Sequence, residues 1–269
     1  MSKIAILSDI HSNGEALSVV LDKCYSLGIE KFVSLGDIVG YNADAAACVQ
    51  AVRELNFIAM VRGNHDDYLH DAKELKESGF NPVAQAAIEW TRNQLSEEDR
   101  KWLYSTPYRT QLPGITLVHA TLDTPETWGY VFDAHHAMAN FTYQFTQLCF
   151  CGHSHVPVAF CRAPLSSGSR TVDIIEGWLH NKTRPEADED YTISDALTVE
   201  YKPGHKYLFN IGSIGQPRNG DPRASFAVLD TENHLVTRYR LPYDIAAIQE
   251  RNRAAGLPER LALRLATGN

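Results

Sequence analysis

Eight polar side chains stand where short apolar runs of this 269-residue chain end: Asp9, His11, Asp37, Asn64, His65, His119, His153 and His155. Carboxylate oxygen, amide oxygen and imidazole nitrogen, with no thiolate among them, suit Mn, Fe, Co, Ni or Zn. One ion would leave several of these groups unused, whereas two ions sharing one Asp would use nearly all. Paired ions roughly 3.5–4 Å apart clamp the attacking and leaving oxygens of a phosphoryl displacement. The densest stretch is Cys151-Gly152-His153-Ser154-His155, directly after the apolar run 148–151. Residues two apart on a strand share a face, so both imidazoles are expected to aim together at a metal. Gly152 lets the backbone turn as that strand ends.

These groups meet only if the chain delivers them to one edge. Residues 4–7 form a continuous apolar run, as in a strand buried on both faces, and lead into Ser8-Asp9-Ile10-His11. Asn13 caps a helix whose apolar face carries Leu17, Val20, Leu21, Cys24 and Leu27, and Gly28 stops it. A second strand, 32–35, ends in Gly36-Asp37; Asp44 caps a second helix; a third strand, 57–61, ends in Arg62-Gly63-Asn64-His65-Asp66. Such a βαβαβ order presents its polar clusters at the carboxyl ends of strands, where open α/β sheets bind ligands. Residues 82–103 read as helical, with Ser96 capping a separate helix that opens on Glu97-Glu98-Asp99. A strand at 115–118 ends in His119, and a helix over 133–147 precedes the histidine pair. Residues 161–205 read as an insertion of hairpins and loops with short strands at 171–175 and 196–201. Strands at 206–211, 225–229 and 235–241 follow. A helical tail, 244–269, is broken at Gly256-Leu257-Pro258. The expected organisation is one domain over 1–269.

Apolar content of 44% and charged content of 22% are ordinary for a soluble globular protein. A net charge of −8 argues against a general nucleic-acid or anionic-membrane binder, so phosphate must be attracted locally. Five Cys, an odd number without framework spacing, predict a reduced, cytoplasmic setting. No apolar run approaches the ~20 residues of a membrane span, and the first residues read as a strand rather than a signal peptide.

Taken together, Asp9-x-His11, Gly36-Asp37, Gly63-Asn64-His65-Asp66, His119 and Gly152-His153-Ser154-His155 resemble the signature of the calcineurin-like metallophosphoesterases, in order across residues 9–155. The stretch Asn210-Ile211-Gly212-Ser213-Ile214-Gly215-Gln216-Pro217-Arg218 is similar to the matching segment of the prokaryotic phosphodiesterase-like branch. The resemblance implies an α/β four-layer αββα sandwich of two mixed sheets, the metallo-dependent phosphatase fold. It implies that Asp9, His11 and His155 hold one divalent ion (Mn, Fe, Ni or Zn), that Asn64, His119 and His153 hold another, and that Asp37 bridges. His65 would stand beside the scissile phosphate, outside the coordination sphere, with Asp66 orienting it. The implied activity is hydrolysis of a phosphate ester by a hydroxide bridging the two ions. The substrate would be a phosphodiester or nucleotide, with phosphomonoesterase or Ser/Thr phosphatase activity, or a non-catalytic scaffold, as alternatives.

Several residues keep two readings at this point. Asp66 equally fits a helix cap. Arg218 and Arg62 are candidate phosphate contacts, although Arg62 could instead pair with a nearby carboxylate. Tyr41, Tyr68 and Trp128 lie in loops near the ligands and either line a cleft or pack on their own loops. His70, His135, His136, His180, His205 and His234 lack strand-end context, and Cys149 and Cys151 read as small core residues.

Overall fold

The chain alternates strands and helices through its first third in a computed structural model that describes residues 3–71, 75–76, 79–169, 171–178 and 191–269. It runs β1 (Lys3–Leu7), α1 (Gly14–Ser26), β2 (Phe32–Ser34), α2 (Ala45–Glu54), β3 (Phe57–Met60), α3 (Asn64–Asp67), α4 (Pro82–Gln94) and α5 (Glu97–Tyr104). Next come β4 (Arg109–Leu112), β5 (Ile115–Val118), α6 (Ala134–Tyr143), β6 (Leu148–Cys151), β7 (Val158–Arg162), β8 (Asp173–Ile174) and β9 (Asp195–Glu200). The chain closes with β10 (Lys206–Asn210), β11 (Ala224–Asp230), β12 (Leu235–Leu241), α7 (Ile245–Ala254), α8 (Glu259–Leu263) and a 3₁₀ turn, Arg264–Ala266.

Two six-stranded mixed sheets result, ordered β3-β2-β1-β11-β12-β9 and β4-β5-β6-β10-β7-β8. β1, β2 and β3 are mutually parallel, and so are β5, β6 and β10. Strand alternation sorts the side chains into layers. Ile6, Val33 and Leu229 of the first sheet meet Leu117, Phe150 and Phe209 of the second in the central core. Their neighbours point the other way: Ala5, Leu7 and Val228 pack under Val20, Val49 and Val52 of the helices. On the far side, Cys149, Cys151 and Phe160 pack under Ala137 and Phe141 of α6. This is the expected αββα sandwich. Both cysteines are core residues, and burial pushes the Cys149 thiol up to about 12.

Side-chain caps open several of the helices. Asn13 and Ser96 accept from Ala16 N and Asp99 N, each at 3.1 Å. Asp44 precedes α2 but does not cap it. Its carboxylate accepts from Gly14 N at 3.1 Å and from Arg251 Nε of α7 at 2.9 Å, tying the tail to the helical layer. The edge strand β4 and the strand β7 were not anticipated. β4 is polar and half-exposed, and returns through Pro113-Gly114 onto β5. Within 161–205, β8 and β9 each form the last strand of one sheet; Arg184 to Asp190 and His180 lie outside the described residues. Among the described residues no helix is long and apolar enough to cross a membrane.

Candidate metal centre

Every parallel strand ends at the same edge of the sandwich, and the eight polar groups arrive there from five of them. Asp9 and His11 follow β1, Asp37 follows β2, Asn64 and His65 open α3 after β3, His119 follows β5, and His153 and His155 follow β6. All are buried. Asp9, His11, Asp37, His153 and His155 have φ of 52°, 47°, 53°, 65° and 60°. Left-handed backbone costs a non-glycine residue about 1–2 kcal/mol, and such strain gathers where side-chain direction matters more than local comfort. Glycines make room for the groups: a Cβ on Gly152 would overlap Ser8 Oγ and Asp9 Oδ2, and one on Gly40 would overlap His65 Nδ1.

Two clusters form, with donor atoms within 4.8 Å of one another: Asp9, His11, Asp37 and His155 in one, and Asp37, His119 and His153 in the other. Asp37 belongs to both. His153 and His155 therefore do not share a target. The strand ends at Cys151, and the left-handed turns that follow send one imidazole to each cluster. Asn64 joins the second cluster, its Oδ1 lying 3.0 Å from His153 Nδ1 and 3.2 Å from His119 Nε2.

The ring tautomers follow from the other nitrogens. Nδ1 of His11, His119 and His155 faces the carbonyls of Val39, Leu35 and Gln216 at 3.0, 2.7 and 2.6 Å. A carbonyl only accepts, so each Nδ1 must carry the proton, and each Nε2 presents a lone pair to the centre. His153 is reversed: its Nε2 donates to Trp128 O at 2.9 Å, which leaves Nδ1 facing inward. Consequently His11 Nε2 and His155 Nε2, 3.0 Å apart, are two acceptors facing each other. Asp37 Oδ2 is buried without a hydrogen-bond partner, 3.5 Å from His11 Nε2 and 3.3 Å from His119 Nε2. Converging lone pairs around an unsatisfied carboxylate fit divalent cations and little else.

Charge responds accordingly. Burial opposes ionisation of Asp9 and Asp37, yet the surrounding imidazoles hold both well below the usual carboxylate range. Burial also disfavours the His119 cation, but Asp37 outweighs it and pushes the ring up to about 9. Burial lowers His153 to about 3 and His65 to about 4.

Two expectations require correction. Asp66 does not orient His65. Its carboxylate accepts the backbone N–H groups of Asp37 (2.8 Å), Ile38 (3.0 Å) and Gly63 (3.2 Å), while His65 Nδ1 is buried with no partner. Asp66 thus caps α3 and braces the Asp37 loop; burial and the Asp37 charge push it up to about 7. Arg62 is not placed to bind substrate. Its guanidinium lies 4.2 Å from the ring centroids of both Tyr104 and Tyr108, donates to Tyr104 O at 2.8 Å and pairs with Asp67 at 3.1 Å.

A cavity of about 440 Å³ opens over the centre, lined by Asp37, Asn64, His65, His153 and His155 below. Its walls carry Tyr41, Phe80, Tyr130, Arg218, Arg260 and Arg264. Tyr41 and Arg218 were anticipated, and Tyr68 packs instead against Phe80 and the core. Arg260, Arg264 and Tyr130 were not. The available signal was the four-residue spacing of the two arginines across α8 and the 3₁₀ turn, each followed by a buried leucine, Leu261 and Leu265.

An α/β sandwich with a buried His/Asp centre at the carboxyl ends of its strands is the architecture of a metal-dependent hydrolase. Residues 2–234 match the calcineurin-like phosphoesterase superfamily domain, and the chain belongs to that family of divalent-metal-dependent phosphoesterases. It is 35% identical to an uncharacterised protein of Methanocaldococcus jannaschii, covering 99% of this chain and 98% of that one. A crystal structure of a metallophosphoesterase from Sphaerobacter thermophilus superposes with a TM-score of 0.79 at 36% identity, over 100% of this chain and 99% of the other. A hypothetical protein from Pyrococcus horikoshii shares the fold, with a TM-score of 0.75 at 20% identity over 100% and 99%.

Proposed function

We propose that this single-domain chain hydrolyses phosphodiesters or nucleotide phosphates at a centre of two divalent ions, Mn, Fe, Ni or Zn. Asp9, His11 and His155 would hold one ion, and Asn64, His119 and His153 the other, with Asp37 shared. The observation that carries this reading is Asp37 Oδ2, buried and unpartnered where the two donor clusters meet. When bound, two such ions supply Lewis acidity, polarising phosphate oxygens and acidifying water.

The remaining work falls to side chains and backbone. The carbonyls of Val39, Leu35, Gln216 and Trp128 lock four imidazoles in the tautomer that exposes a lone pair. His65 lines the cavity and makes no contact that would commit its ring to the scaffold through Nδ1. It would stabilise charge developing on the phosphate or protonate the leaving oxygen. The segment ending at Gln216 and Arg218, similar to the phosphodiesterase-like branch, contributes both the His155 carbonyl anchor and a cation on the cavity wall. Five free thiols fit a reducing, cytoplasmic setting.

The test is a substrate panel with Mn, Ni, Fe and Zn, comparing an aryl phosphodiester, an aryl phosphomonoester, a dinucleoside tetraphosphate and a phosphopeptide. The diester and the nucleotide should turn over fastest in protein carrying two ions per chain. Faster turnover of the monoester or phosphopeptide would make it a phosphomonoesterase. No turnover of any, in protein shown to be fully loaded, would sink the reading.

A further inference from the structure

The three arginines on the cavity wall belong to neither donor cluster. Arg218 comes from the loop after β10, and Arg260 and Arg264 from the tail. The tail is fixed to this position. Leu257 and Leu261 pack with Tyr41, Ala84 and Ala87, and Arg251 ties α7 to Asp44 and Glu15 at 2.9 Å each. Arg218 Nη2 donates to Tyr41 Oη at 3.0 Å and to Gln216 Oε1 at 3.1 Å, while its Nε is buried without a partner. Arg264 Nε donates to the main-chain oxygen of Asn269.

Among the described residues no Asp or Glu side chain forms an ion pair with any of the three. Among the described residues the one carboxylate lining the cavity is Asp37, which lies between the two donor clusters. In a chain of net charge −8, acidic partners are plentiful, so three guanidinium groups on one wall with no described side-chain carboxylate paired to them leave room for an outside anion. Burial and the charges of Arg218 and Arg260 together push Arg264 down to about 10, a repulsion that an anion would relieve. The wall by His153 is different: Tyr130 stacks on that ring at 4.3 Å and on Phe132 at 5.1 Å, and offers no cation.

We propose that Arg218, Arg260 and Arg264 form a second anion subsite, which binds a further phosphate of the substrate while the scissile one sits over the metal centre. The inference rests on the phosphoesterase reading and narrows it. The preferred substrate is a polyphosphate chain, such as a nucleoside or dinucleoside polyphosphate, rather than a diester with a single anionic group. Its polyphosphate end extends toward the tail, away from Tyr130.

The test compares wild type with Arg260→Gln, Arg264→Gln and the double variant on two substrates, a dinucleoside tetraphosphate and an aryl phosphodiester. Loss of a charged phosphate contact should cost about tenfold per arginine on the polyphosphate, chiefly in KM. The ratio of kcat/KM for the polyphosphate to that for the diester should therefore fall at least about tenfold in the double variant. An unchanged ratio would overturn the proposal, since a merely structural role lowers both substrates alike. A second readout is independent of turnover: calorimetric binding of inorganic tripolyphosphate to chelator-treated protein. Wild type should bind it, and the double variant at least about tenfold more weakly. Equal binding by both, or none by wild type, refutes the subsite even if the phosphoesterase reading stands. Tripolyphosphate binding lost in the variants, with no substrate hydrolysed by wild type, would instead keep the subsite and fail that reading. Arg260 is exposed, so Arg260→Gln alone keeps the test decisive if Arg264→Gln does not fold.

Discussion

Asp66 separates two physical roles that a sequence motif cannot distinguish. If its carboxylate braces the Asp37 loop, Asp66→Ala leaves the N–H groups of Asp37, Ile38 and Gly63 without acceptors in a fully buried site. Each unsatisfied donor costs about 1–3 kcal/mol, and local relaxation recovers part of the sum, so a loss of about 4 kcal/mol is expected. In a chain of this size that lowers Tm by about 10 °C. Asp66→Asn should cost about 1–3 kcal/mol, because its amide can keep its oxygen on the two donors that share Oδ2 but turns hydrogens toward Ile38 N. The measurement is thermal unfolding in chelator at pH 8, above the value of about 7 to which burial and Asp37 raise this carboxyl. Metal titration follows. The loosened loop carries Asp37, so affinity should fall about 10–100-fold, as when a supporting contact to a ligand is removed. Wild-type Tm and metal uptake in Asp66→Asn, combined with lost turnover, would refute the bracing role and return Asp66 to orienting His65.

His65→Ala should lower kcat by about 10²–10⁴-fold while both ions stay bound; elemental analysis showing lost metal would place His65 inside the coordination sphere. Arg62→Ala should destabilise by about 2 kcal/mol, through its lost packing between Tyr104 and Tyr108, with KM within about twofold of wild type. A raised KM at unchanged Tm would restore a phosphate role to Arg62. Asp221 bonds Arg223 and pairs with Arg240, and although burial opposes its charge, these partners hold its pKa below the usual value. A depressed carboxylate stabilises the fold above its unfolded pKa of about 3.8, and that contribution is lost as pH falls through the folded value. Asp221→Asn should thus cost about 3 kcal/mol at pH 7 in urea unfolding, with the gap to wild type closing below about pH 4. A gap independent of pH would show that packing, not charge, is what the substitution removes.

The sites of the metal-centre side chains were legible because of how a two-sided sheet is buried. A strand covered on both faces reads as an unbroken apolar run, and its first polar residues mark where the chain leaves the core. Ile4 to Leu7 before Asp9, and Leu148 to Cys151 before His153, carry that signal in the residues themselves. The other half of each imidazole carries none. Val39, Leu35 and Gln216 hold ring nitrogens through backbone carbonyls, 28, 84 and 61 residues away in sequence, and a carbonyl has no side-chain identity to read. Asp66 kept two readings for the same reason, since its partners are three backbone N–H groups. The tail fails differently. Arg260 and Arg264 show the spacing of one helical face, but nothing local says which surface that face covers. Its placement is decided by Leu261 against Tyr41 and by Arg251 on Asp44, contacts spanning most of the chain. The donors over the catalytic edge come from strand ends, whereas the cations that would choose among substrates come partly from an element attached afterward. A chain with the same strand ends and a different tail would therefore keep the metal chemistry and lose the preference for a second phosphate.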